Sequence, residues 1–578
     1  MSNLDWLVLA VTLISVILFG VYKSRGEKNL NTYFKGNNSM SWFLILLSIM
    51  GTQASAITFL SAPGQAYTDG MRFVQYYFGL PLAMVVICVT FVPIYHRLKV
   101  YTAYEYLEQR FDLKTRSLAS ILFLIQRGLS TGISIYAPSI ILSSLLGWNI
   151  YLTNVIMGGL LIIYTVSGGT KAVAYTQMQQ LFVVFVGMFL AGLMVVKLLP
   201  EGVGFTDALH VAGSMEKLNV IETRIDIIDE TWWKDKYNIW SGLIGGFFLA
   251  LSYFGTDQSQ VGRYLTAQSV KESRIGLLMN GFVKVPMQFL ILLVGSLVFV
   301  FYLHYSSPVF FNQSQLEKVH KSAYASQFKV HEIQFDSINN VKQKLVTSLV
   351  KAIHTDNHLQ TEKYKMELKL VEEEANICRT KAKAIIKQAD ALADTNDTNY
   401  IFLYFVVHHL PKGLIGLLIA MIFLSAWGSI AAALNSLAST TVIDLYQRIW
   451  VKSKTDAHYY KVSKWITLFW GLFSIAVAMF ASRLGSLIEA VNILGSLFYG
   501  TILGIFLVAF YLKNVGGFAV FWAAITTEIL VILIYNADII SFLWLNMIGC
   551  LLVMIIAWIL NLFLMKKSPK AFSEQGSF

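Results

Sequence analysis

The chain is 578 residues long, 56% of them hydrophobic and only 14% charged, with a mean hydropathy of +0.59. That balance excludes an ordinary soluble domain and identifies a polypeptide that crosses a membrane many times. The net charge of +11 does not point to nucleic acid, because Lys and Arg gather in short loops between apolar runs. Cys88, Cys378 and Cys550 are too scattered for a disulfide framework or a metal motif.

The N-terminus has neither a basic n-region nor a small-residue cleavage site, so the first apolar run reads as a retained span. Runs of spanning length lie at 5–23, 41–62, 73–95, 117–146, 151–167, 175–198, 239–257, 276–304, 413–443, 465–483, 486–511, 516–536 and 541–565. They predict an all-α membrane protein with about 13 transmembrane helices. The basic connections, "YKSRGEKNLNTYFKG" and "HRLKVYTAYEYLEQRFDLKTR" among them, fall on one side of this path. They place the N-terminus outside and the C-terminus in the cytoplasm, in a plasma (inner) membrane.

The second span contains "LSIMGTQASAITFLSAPGQAY" (47–67), where Gly51, Thr52, Gln53, Ser55 and Thr58 crowd a stretch that lipid cannot hydrogen-bond. Such sequence is tolerated where the backbone lines a cavity or is buried against other helices, so this helix is predicted to be broken. The seventh span, "SGLIGGFFLALSYFGTDQ", repeats the pattern with Gly242, Gly245, Gly246 and Gly255 before Thr256, Asp257 and Gln258. Two such segments, five spans apart, point to inverted repeats around a midplane site. Close helix packing would explain the glycines alone, and not the polar side chains.

Residues 306–400 interrupt the apolar pattern with a charged segment of helical propensity, read as an extracytoplasmic helical insertion or a docking module for an unknown partner. "YIFLYFVVHHLPKG" is too short to span and ends near Pro411, which predicts an interfacial helix. His408 and His409 have no Cys or carboxylate at ligand spacing. Arg127, deep in "FLIQRGLSTGISIYAPS", is costly unless it is paired internally or faces a water-filled site. Asp257 is expected to pair with Arg263. No Walker loop and no nucleophile–base constellation appears, so neither ATP-driven transport nor an enzyme is expected.

"GTDQSQVGRYLTA" (255–267), "YTVSGGTKAVAYTQ" (164–177), "YEYLEQRF" (104–111) and "ALNSLASTTVIDLYQR" (433–448) resemble signatures of the sodium/solute symporter family, from about residue 5 to 565 outside the insertion. The resemblance implies a LeuT-type fold of five-plus-five inverted repeats. It divides the chain into an extra helix and loop (1–40), a first repeat (41–198), an extracytoplasmic loop (199–238), the start of a second repeat (239–305), the insertion (306–400), the rest of that repeat (401–515) and two extra helices with a tail (516–578).

It also implies a sodium ion held by the backbone carbonyls of Gly51 and Ala54, the Ser425 carbonyl and the Ser429 hydroxyl. A hard cation prefers oxygen, and unwound backbone supplies it without charge. Gly428 stands where many members carry a hydroxyl, and Ala431, Ala432 and Gln177 occupy the positions of a second sodium site, so a single coupled sodium is expected.

For the solute, Ser55 and Thr58 either offer hydroxyls or bond back to their own helix. Tyr253 matches an aromatic inner gate with Phe254 beside it, each serving either stacking or core packing. Asn492 falls where sugar transporters carry an amide. Arg127 resembles the carboxylate-binding arginine of sialic acid members, and Lys284 the sugar-contacting lysine of galactose members. Tyr77 replaces the latter's acidic sugar ligand. The expectation is a sodium-coupled symporter for a small polar solute: a sugar, a sugar acid such as sialic acid, or another carboxylate. The alternatives are a proton-coupled carrier of the same fold or a transport-like membrane sensor.

Overall fold

The computed structural model describes residues 1–24, 39–98, 100–167, 170–223, 230–391 and 393–567, so the basic loop expected at 25–38 and the tail beyond 567 lie outside the described residues. Among the described residues, nine helical stretches are long and apolar enough to cross a membrane. Four shorter apolar helices, Asn3–Val16, Trp42–Gln53, Ile150–Val166 and Ser241–Gly255, complete the predicted set of spans.

Helix α1 (Asn3–Ser24) leads into the predicted break. Helix α2 (Trp42–Gln53) stops at Ala54, whose ψ of 78° is not helical, and α3 (Ala56–Asp69) restarts after Ser55. Side chains take up groups around the interruption: the Thr52 hydroxyl donates to the Ser48 carbonyl (2.8 Å) and the Gln53 amide to Asn280 (2.8 Å). A 3-10 segment (Gly70–Tyr77) turns the chain into α4 (Leu80–Val89) and α5 (Phe91–Leu98). Short α6 (Glu105–Arg110) precedes the long spans α7 (Leu113–Leu146), α8 (Ile150–Ser167) and α9 (Thr170–Lys197), and α10 (Phe205–Ser214) lies in the loop that follows.

The seventh span is interrupted as well. A π-helical turn (Ser241–Gly245) enters α11 (Gly246–Gly255), which stops at Thr256; α12 (Gln258–Tyr264) restarts with Asp257 as its N-cap. Close packing accounts for the glycines here: a Cβ on Gly246 would lie 2.5 Å from the Tyr76 carbonyl oxygen. The two broken segments are tied together where α2 begins and α12 ends, Met40 N–H donating to the Thr266 carbonyl (3.2 Å) and Gln268 N–H to the Met40 carbonyl (3.1 Å). Helix α13 (Val270–His304) then packs along α2, α3 and α4.

The insertion contains α14 (Gln313–His320) and a hairpin of α15 (Ala325–His354) and α16 (His358–Ala389). It has its own small core, including Phe310, Phe328, Phe335 and Ile386, while Val346, Leu349 and Val350 near the hairpin tip join the main core. A His354–Asp207 hydrogen bond (2.8 Å) and a Lys369–Glu216 ion pair (2.5 Å) fasten the tip to α10 and the turn after it. Helix α17 (Thr398–His409) forms as expected and packs its first half into the protein: residues Thr398 to Leu403 are buried, and a Cβ on Gly64 of α3 would fall 1.9 Å from the Thr398 carbonyl oxygen. A short helix that is apolar on every face is buried by its neighbours.

Helix α18 (Leu414–Thr440), extended by a π-helical stretch to Trp450, packs against α1, α7 and α9 as well as α2 and α3. Asp5 accepts hydrogen bonds from the N–H groups of Gly413 (2.6 Å) and Gly416 (3.4 Å), capping α18 from the start of α1. Helices α19 (Asp456–Ala478), α20 (Leu487–Tyr511), α21 (Gly517–Asn536) and α22 (Trp544–Lys567) complete the molecule.

Candidate functional site

A cavity opens beside the break between α2 and α3, walled by α7, α11, α13, α18 and α20. It brings together Ser55, Thr58, Tyr77, Arg127, Tyr253, Phe254, Lys284 and Asn492, with Ser429 from the expected sodium set. Gly51, Ala54 and Ser425 do not line it; all three are buried at the α2 end and the facing turn of α18.

Around these three the α18 backbone is occupied locally. The Ser429 hydroxyl donates to the Ser425 carbonyl (2.9 Å) and the Ala426 carbonyl (3.1 Å), and the Ser425 hydroxyl donates to Ile422 (2.8 Å). Gln177 of α9 spans the gap between α2 and α18: it accepts from the Ser48 hydroxyl (2.9 Å) and donates to the Gly428 carbonyl (3.1 Å). A Cβ at Gly428 would lie 2.3 Å from Gln180 Oε1, so a side chain there would have to displace the end of the Gln180 side chain.

Ser55 and Thr58 face the cavity, and neither hydroxyl bonds back to the helix among the described residues. Asn492 accepts from the Tyr76 hydroxyl (3.1 Å), leaving its amide nitrogen buried without a partner. The Tyr253 hydroxyl accepts from Gln260 (2.7 Å). Lys284 is 2% exposed and has no ion-pair or hydrogen-bond partner among the described residues; its ammonium nitrogen lies 5.4 Å from the centre of the Tyr77 ring.

Arg127 both faces the cavity and is paired. One guanidinium nitrogen donates to the Ser259 hydroxyl (2.5 Å), another lies 3.8 Å from Asp257, and Nε is buried without a partner. The expected Asp257–Arg263 pair is therefore replaced by Asp257–Arg127. Asp257 caps α12, accepting from Ser259 N–H (2.8 Å) and hydroxyl (2.6 Å), while Arg263, six residues on, projects from a different face. Arg263 instead donates to the carbonyls of Ser259 (3.4 Å) and Ala432 (3.5 Å).

The lining also includes Tyr76, Gln126, Ser130, Ser134 and Tyr499, which sequence reasoning missed. For three of them the signal was present: Gln126, Ser130 and Ser134 are spaced i, i+4, i+8 in an otherwise apolar span and share the face next to Arg127.

The model of the sodium:solute symporter family matches residues 33–326 and 376–527, leaving 327–375, most of the hairpin, outside the match. The match therefore reaches further into the insertion than the motifs indicated. A sodium-dependent multivitamin transporter of Oryctolagus cuniculus is 25% identical over 87% of this chain, which spans just under two thirds (66%) of that transporter's length. A sodium/sialic acid symporter of Proteus mirabilis is 25% identical over 96% of this chain and 93% of its own. A solved substrate-bound, outward-open structure of a Na+-coupled sialic acid symporter superposes with a TM-score of 0.73 at 23% identity, covering 97% of this chain and 98% of that one; the likeness shows the fold.

Proposed function

Because the chain belongs to the sodium:solute symporter family, we propose that it is a sodium-coupled importer of a small organic acid, either a sugar acid or another carboxylate, across a plasma membrane. Lys284 carries this reading. A buried ammonium facing a polar cavity, with only an aromatic ring for company, is stabilised when an anion arrives beside it. Arg127 and Arg263 against the single carboxylate of Asp257 add to the same deficit of negative charge. The hydroxyls of Ser55 and Thr58 and the free amide of Asn492 suit a polyhydroxylated solute, as in the sialic acid symporters among the relatives.

The N-terminus and the insertion lie outside and the C-terminus in the cytoplasm, in accord with the basic loops. One sodium ion is held between the carbonyls of Gly51 and Ala54 at the end of α2 and the Ser425 carbonyl and Ser429 hydroxyl of α18. Gln177, Ala431 and Ala432 bring no carboxylate or hydroxyl for a second. If sodium orders the break and the solute binds the ordered segment, each raises the affinity for the other by the same factor. Rocking of the broken-helix bundle against its partner then exposes the site to either side in turn.

The test is uptake of labelled glucose, sialic acid and lactate into proteoliposomes under an imposed sodium gradient. Sodium-dependent accumulation of an acid, lost in Lys284→Met and Arg127→Ala, supports the reading; accumulation of glucose alone overturns the anionic part. A proton-coupled carrier is the second reading. Glu528 favours it: this side chain is 8% exposed and has no ion-pair partner among the described residues. Uptake driven by a proton gradient in sodium-free buffer would select it.

A further inference from the structure

Beneath the cavity, on the side away from the insertion, several helices converge on the first turn of α12. Asp257, which caps that turn through Ser259, also accepts the Tyr499 hydroxyl of α20 (2.9 Å). Arg127 reaches the same turn from α7, bonding Ser259 and lying 3.8 Å from Asp257. Tyr253 of α11 is held to α12 through Gln260, with its ring centre 5.8 Å from the Arg127 guanidinium carbon. The Tyr104 hydroxyl closes the junction from below by donating to the Thr256 carbonyl (3.0 Å). Arg127, Asp257 and Ser259 are no more than 8% exposed.

Arg127 is thus shared between two tasks. Its contact with Asp257 is long and made by one nitrogen, while its Nε has no partner on the cavity wall. A guanidinium satisfies a carboxylate best as a two-pronged fork, so an arriving carboxylate competes well against the 3.8 Å contact. With Arg263 close by and without an acidic partner among the described residues, the floor of the cavity also lacks one negative charge until such an anion binds.

We propose that Asp257 and Ser259 are positioning residues that latch the cytoplasmic floor shut through Arg127, and that a bound carboxylate releases the latch by taking the guanidinium. This rests on the anionic reading of the solute and adds the step by which solute occupancy is transmitted to the gate. Without solute, the latch keeps sodium from leaking inward alone; with solute, α12 is freed from α7 and swings with the bundle.

The experiment measures radioactive sodium influx into proteoliposomes with no organic solute present, for the wild type, Asp257→Asn and Ser259→Ala. Alongside it, a cysteine placed by Ala433→Cys, on the cavity wall, is labelled with a membrane-impermeant thiol reagent from the cytoplasmic face; the native cysteines are all buried. The latch requires the solute-free leak and the labelling rate to rise by about tenfold in both variants, with monodisperse, sodium-responsive protein. Leak and labelling as low as in the wild type would overturn it. Adding sialic acid or lactate separates this result from the parent reading. If neither acid raises labelling in the Ala433→Cys protein while both latch variants leak, the latch stands and the anionic solute falls.

Discussion

Lys284 and Gly428 show how single residues define the site. Lys284 has no ion-pair or hydrogen-bond partner among the described residues, and the proposed anion would supply one. Replacing it with Met is expected to lower acid uptake by about 10- to 100-fold, the range for removing one charged contact from a buried site. The same change is expected to raise the melting temperature of the solute-free protein, since a desolvated cation is lost; a fall in both would mean that Lys284 is structural. At Gly428 the added side chain meets Gln180 Oε1, so Gly428→Ser does not simply restore a sodium ligand. It is expected to cost about 1–3 kcal/mol through overpacking and to weaken sodium-dependent stabilisation, with recovery in Gly428→Ser combined with Gln180→Ala. Thermal unfolding over a sodium titration distinguishes the two.

At the scale of elements, the first helix and the insertion are tied to the transport core by charged contacts. Asp5 caps α18, the helix expected to hold sodium, and Asp5→Ala is expected to destabilise by about 1–2 kcal/mol through loss of a charged helix cap. Chemical denaturation in mixed micelles measures it. At the base of the hairpin, burial and the neighbouring Asp397 raise the Asp394 carboxyl to about 6, against the pull of the Asn396 N–H and nearby lysines. The native state therefore keeps a proton that the unfolded chain releases, and stability falls as pH rises through about 6. Asp394→Asn is expected to flatten that part of the stability profile, between the ordinary carboxyl value of 3.8 and about 6. Asp207, in contrast, is lowered: burial opposes it, but the Gly204 N–H and His354 hold the carboxylate charged.

For the whole molecule, the proposed stoichiometry sets the charge carried per cycle. One sodium with one monovalent carboxylate moves no net charge, so uptake is expected to be unaffected by a potassium–valinomycin potential of either sign. Two sodium ions would make uptake rise with inside-negative potential, by up to about 2.3 kcal/mol per charge per 100 mV. Initial rates at clamped potential settle the stoichiometry that Gln177, Ala431 and Ala432 predict.

Most of this architecture was legible in one dimension. Hydropathy located the spans, because each helix must supply its own backbone hydrogen bonds in lipid. Glycine and hydroxyl clusters located both interruptions, because unwound backbone requires small or polar residues. Motif spacing indicated the family and a set of residues that the fold brings to one cavity. Tertiary structure decided what depends on direction rather than spacing. Asp257 faces Arg127 across a helix interface instead of Arg263 on its own helix, Tyr76 closes over Asn492, and Gln180 occupies the space above Gly428. The first half of the helix 398–409 is buried against α3, a contact its own length and composition did not specify. Sequence determines which groups cannot face lipid; only packing determines which of the remaining groups meet.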